Sequence, residues 1–312
     1  MATDTTAPSY WLNWRFLLCA IWIVVTMIAA ALIIWRYEGR GSSRGRASGG
    51  RRNKGASWAT CSRSIHPVWL LGFRIVAFCA LLGLILADTI IHGVGIFYFY
   101  TEWTFTLVTI YFGLASSLSI LGCLKGEPKG DRSIAADAER GPFVAPADAD
   151  EDAHTAKISF NDSHHDPTPV IASIGEYAFQ IIFQMCAGAV MLTDSVYWLV
   201  LYSKDDDLTF LIVCMHSVNA VFLLGDTILN SVSFPFFRIA YFALWTCVFV
   251  IFQWIIHACV SMSWPYTFLD LSSSYAPLWY LAVGLLHIPC YGIFSLIFKI
   301  KQRCLSKQQQ QF

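Results

Sequence analysis

Long apolar runs separated by polar connections set the pattern of this chain. FLLCAIWIVVTMIAAALIIW (16–35) is the first, and others follow at about 67–91, 101–123, 173–201, 208–230, 235–260 and 277–298. Each is near or above the ~20 residues that span a ~30 Å hydrocarbon core at 1.5 Å per residue. The pattern predicts an all-α, polytopic membrane helix bundle with seven transmembrane helices. The first run starts late, is long and lacks a small-residue cleavage site, so it is read as a retained helix. The chain then divides into an amino-terminal segment with the first span (1–35), a basic loop (36–66), spans two and three (67–123), a hydrophilic loop (124–170), spans four to seven (171–300) and a tail (301–312).

Polar residues interrupt these runs at helical spacing. In the fifth, His216, Asn219, Asp226 and Asn230 follow one another at steps of three, seven and four, which stacks them on one helical face. Polar groups are costly in lipid, so such a row must face other helices or water. Glu176, Gln180 and Gln184 do the same on the fourth run, with Asp194 near its far end, and Gln253 and His257 share a face of the sixth. Asp88 and His92 close the second run. The seventh carries His287 and Pro289, where the proline removes a backbone donor and is expected to kink the helix. Arg74, near the start of the second, is expected to snorkel back to the loop side.

Only 13% of the 312 residues are charged and 56% are hydrophobic, which excludes an ordinary soluble domain. Several of the 12 Trp and 13 Tyr fall at the ends of apolar runs, where interfacial rings belong. The net charge of zero hides an asymmetry, because 19 of the 21 basic residues fall on one set of loops and helix ends, eight of them within 36–66. Arg15 and Lys204 are left for the other side. The positive-inside rule therefore places the amino terminus outside or in a lumen and the tail in the cytosol.

The loop 36–66, with Gly and Ser between its basic residues, is expected to be solvated and mobile, and 124–170 to be disordered. Its NDSHHD cluster (161–166) is read as a solvated loop and not a metal site. The ten Cys lie in apolar runs or cytosolic loops, with Cys259 near the outer surface, so no disulfide framework is expected, and Cys304 reads as a plain juxtamembrane thiol. No phosphate-binding, dinucleotide, zinc-protease or serine-elbow motif is present, and neither cofactor, metal nor nucleic-acid partner is expected.

With this topology Asp88, His92, Thr101, Asp194, His216 and His257, from five helices, fall in one outer half. A hydroxyl there can be a nucleophile if an imidazole takes its proton and a carboxylate or second His orients that base. The plainer reading of the same groups is an interhelical hydrogen-bond seam. Thr101, Thr104, Thr106 and Thr109 each have the usual alternative of bonding the carbonyl a turn back.

The blocks YTEWTFTLVTIYFG, MHSVNAVFLLGDTILN and WIIHACVSMSWPYTFLDL resemble the androgen-induced and rolling-stone-like multi-pass membrane proteins, most closely their plant relatives, over roughly 67–300. The resemblance implies an intramembrane hydrolase of fatty-acid esters, with Thr101 as nucleophile, Thr104 as the fallback and His216 as base. His257 matches a further family histidine, and Asp88 and Asp194 are supporting candidates. The departures are an added first helix on a six-helix core and a long loop before the fourth helix. Rolling-stone-type relatives imply instead a non-catalytic role in adhesion, fusion or structure. A receptor or transporter fits less well, since neither receptor motifs nor an inverted repeat is visible.

Overall fold

The computed structural model describes residues 4–39, 57–61, 65–124, 168–203 and 208–310. The NDSHHD cluster, the expected disorder of 125–167 and most of the basic loop lie outside the described residues. Seven helices are long and apolar enough to cross a membrane: α1 (Trp14–Gly39), α2 (Pro67–His92), α3 (Tyr100–Leu124), α4 (Ile174–Leu201), α5 (Phe210–Leu229), α6 (Phe236–Cys259) and α7 (Ala276–Lys307). The all-α bundle expected from the apolar runs is therefore what forms. Its boundaries move slightly, because α1 continues past residue 35 and the last helix runs on to Gln310, so residues 301–310 continue the helix.

Local chemistry sets several helix ends. Asn13 Oδ1 accepts the backbone N–H groups of Arg15 (2.9 Å) and Phe16 (3.0 Å) at the start of α1. Pro67 opens α2, where its missing N–H costs nothing. Gly93, at φ +78°, ends that helix in a conformation that side-chain-bearing residues rarely adopt. Thr209 caps α5 by accepting from Ile212 N.

Between helices in lipid, close packing and hydrogen bonds replace the hydrophobic drive. α4 lies at the centre, against α3, α5, α6 and α7, while α2 packs along α3. α1 packs on α6 and α7. One buried cluster joins Phe105, Tyr111, Phe112, Phe179, Phe183 and Leu223, and a second gathers Phe242, Phe249, Tyr280 and Tyr291. Gly284 lets Trp22 of α1 approach, since a Cβ there would lie 2.8 Å from the indole.

The structure corrects two expectations. Arg74 does not snorkel: it is fully buried, with Nε donating to Asp226 Oδ1 at 2.6 Å and Nη2 to Oδ2 at 3.3 Å. Tyr111 OH and Asn230 Nδ2 (2.9 Å) also donate to Asp226 Oδ2. A guanidinium with a bidentate carboxylate gains more there than it would from partial hydration at the bundle's edge. Nor is all of 36–66 solvated. Ser57 is 1% exposed, its carbonyl accepts from Arg74 Nη1, and its N and Oγ donate to Glu176. Thr60 forms an isolated antiparallel bridge with Asn230, and Trp58 fills the space over Gly122. Residues 57–61 are a strap across one end of the bundle.

Candidate functional site

The row on α5 faces inward as its spacing implies, since Asn219, Asp226 and Asn230 are fully buried and His216 is 8% exposed. Yet the helix is not continuous. It stops after Met215 and resumes at Val218, with His216 at φ −110°, ψ 14° and Ser217 at φ −146°, ψ −41°. The break is compensated locally: Trp198 Nε1 donates to the His216 carbonyl (3.0 Å), and the imidazole stacks flat on Tyr197 at 3.6 Å and 4°. His216 Nδ1 is buried without a hydrogen-bond partner.

The other expected residues are spread over the same end. Thr101, at the start of α3, lines a small apolar cavity of about 60 Å³ with Tyr197, Thr193, Thr246 and Tyr266. Thr101 and His216 share no hydrogen bond. What relates them is Tyr197, whose ring lines Thr101's cavity and carries His216 on its face. Thr104 Oγ1 pairs with Thr193 Oγ1 across α3 and α4 (3.1 Å), while Thr109 bonds the Phe105 carbonyl a turn back. Asp88 pairs with the exposed His92 at 2.7 Å. Asp194 faces Asn219, and one oxygen of its carboxylate is buried without a partner.

His257 is engaged structurally: Nδ1 donates to the Gln253 carbonyl (2.8 Å), and the ring stacks on Trp264 at 3.8 Å. Trp264 Nε1 donates to Tyr10 OH, which donates to Asp270 Oδ1, both at 2.8 Å, tying the amino-terminal segment to the loop before α7. In that loop Tyr266 OH accepts from Tyr100 N (2.9 Å), and burial pushes its phenol up to about 12. No group of three or more His, Cys, Asp or Glu among the described residues is arranged to hold a metal ion.

A larger apolar cavity of about 300 Å³ lies between α1, α6 and α7, with Thr246 and His287 among its walls. His287 Nε2 lies 2.8 Å from Thr246 Oγ1, and Tyr100 OH lies 2.9 Å from the same oxygen. His287 stands out in the sequence as a polar residue in an apolar run. Thr246 carries no such signal, because its partners come from α3 and α7.

Seven apolar spans enclosing buried polar groups define an integral, multi-pass membrane protein. Compared with known proteins, the chain matches no family model, no curated protein and no solved structure.

Proposed function

We propose that this protein is an intramembrane hydrolase of fatty-acid esters, oriented with its amino terminus outside or lumenal and its tail cytosolic. The observation that carries the reading is a threonine in the wall of an apolar cavity inside the bundle: Thr101, at the start of α3. Apolar walls suit an acyl chain and keep bulk water from the hydroxyl. His216 supports the base role through its unpartnered buried Nδ1, and Tyr197 is the ring that must shift for the imidazole to reach the cavity. The androgen-induced-type resemblance assigns the same two residues.

The test is fatty-acid release from acyl esters by the full-length protein in vesicles. Loss of release in both Thr101→Ala and His216→Ala, with insertion and elution profile unchanged, supports the assignment; full release in both removes it. A second reading, a non-catalytic bundle of rolling-stone type, is favoured by the stacked His216 and by the Arg74–Asp226 network, which binds helices without any free nucleophile. It predicts that His216→Ala lowers stability and that no ester is cleaved.

A further inference from the structure

The geometry points to a second hydroxyl–imidazole pair, Thr246 and His287, as a nucleophile and base for long-chain acyl esters held in the cavity between α1, α6 and α7. The inference rests on the reading that the chain cleaves lipid esters, but not on Thr101 or His216.

The proton positions follow from the partners. His287 Nδ1 lies 2.8 Å from the Val283 carbonyl, which can only accept, so Nδ1 carries the hydrogen. In the neutral ring Nε2 is then the acceptor, and the atom facing it at 2.8 Å is Thr246 Oγ1, which must donate. The backbone carbonyl thus fixes the tautomer a general base needs, as an orienting carboxylate does elsewhere. Phe242 stacks on the imidazole at 4.3 Å and holds its plane. Thr246 is not spent on its own helix, because its contact with the Phe242 carbonyl is long, at 3.4 Å. Tyr100 OH donates to the same Thr246 oxygen from the opposite cavity. Thr246 is half-buried and stands in the wall shared by both cavities.

The cavity identifies the substrate class. At about 300 Å³ it lies at the lower end of small-molecule sites, and its lining is almost wholly apolar, from Trp22, Ile23 and Ala30 on α1 to Ile288 on α7. It has no side-chain cation for a phosphate or carboxylate, so the group entering it is an acyl chain with its ester at Thr246. Chemically, Thr246 Oγ attacks the ester carbonyl carbon as its proton passes to His287 Nε2. The carbon–oxygen bond to the alcohol then breaks, and the alcohol leaves with that proton. Water, deprotonated by the same imidazole, cleaves the acyl-threonine ester to release the acid and restore Thr246.

The experiment treats the full-length protein, in detergent and in vesicles, with an alkyl fluorophosphonate, which phosphonylates an activated hydroxyl and expels fluoride, and maps the adduct by mass spectrometry. The adduct is expected on Thr246. It should vanish in Thr246→Val, which has no hydroxyl, fall by about 100-fold or more in His287→Asn, the scale of lost general-base assistance, and persist in Thr246→Ser. A purely structural hydrogen bond predicts no adduct at 246 in the wild type, and that result overturns the inference even if a variant fails to fold. An adduct on Thr101 instead, with acid still released, overturns this inference and leaves the ester-hydrolase reading standing. No adduct and no acid release overturns both.

Discussion

Removing the Asp226 carboxylate should be the most damaging single change at the end of the bundle crossed by the strap. Arg74 and Asp226 are both fully buried, and the carboxylate accepts from Arg74 Nε and Nη2, Tyr111 OH and Asn230 Nδ2. Asp226→Ala leaves the guanidinium with the Ser57 carbonyl and Ser119 Oγ as hydrogen-bond partners and the Phe179 ring at 5.3 Å, none of which carries a charge. An interhelical hydrogen bond in a membrane protein averages only ~0.6 kcal/mol. Breaking a buried ion pair from one side costs ~3–5 kcal/mol, because the stranded charge keeps its desolvation cost. The second effect should win. The double variant Arg74→Met with Asp226→Leu removes both charges and should be less destabilised than Asp226→Ala alone. The assay is reversible unfolding in mixed micelles, with Arg74→Met and Asp226→Leu as the single variants that complete a double-mutant cycle. A loss below ~1 kcal/mol for Asp226→Ala, or additive effects of the two single changes, would refute a desolvated, coupled pair, since a stranded buried charge alone should cost ~3–5 kcal/mol.

Three further outcomes follow from neighbouring features. A Cβ at Gly122 would run into the Trp58 ring, so Gly122→Ala should release the strap and shift Trp58 fluorescence, and an unchanged spectrum would argue that the strap is not seated there. Glu38, at the end of α1, accepts from Arg238 Nε at 2.9 Å and from Tyr177 and Tyr241; Glu38→Gln should weaken α1 docking by about 1 kcal/mol, a figure lowered for partial exposure, seen as faster proteolysis of the α1 connection. The Tyr266 phenol is raised to about 12 from an ordinary value near 10, so the folded state holds a proton that the unfolded chain loses first. Its contribution is complete below pH 10 and lost as pH rises towards 12; Tyr266→Phe should flatten that fall, and an equally steep fall would place the titration elsewhere.

The span count and the inward face of α5 could be read from the sequence because lipid imposes a strict rule on long apolar runs and on polar residues within them. Asn219, Asp226 and Asn230 obey it completely. The break at His216 was hidden, since the apolar pattern continues through it and the groups that compensate it, Tyr197 and Trp198, sit on α4. Arg74 was visible as a charge but not as a buried one, because its partner lies on α5, 152 residues along the chain. Residues 57–61 have the composition of a loop, and contacts with Glu176, Arg74, Gly122 and Asn230 make them a docked segment. Thr246 was invisible for a similar reason: a threonine in an apolar helix acquires chemistry only from what the fold sets opposite it.

The claim beneath every functional reading is that the chain crosses the bilayer seven times and leaves its two ends on opposite faces. Cys259, at the end of α6, and Cys304, on the last turns of the final helix, are both exposed and mark those faces. Single-cysteine variants carrying one or the other, in sealed vesicles of uniform orientation, can be treated with a membrane-impermeant maleimide before and after opening the vesicles. One cysteine should react at once and the other only after permeabilisation. Equal reaction of both from the same side would contradict the topology and every site placed by it.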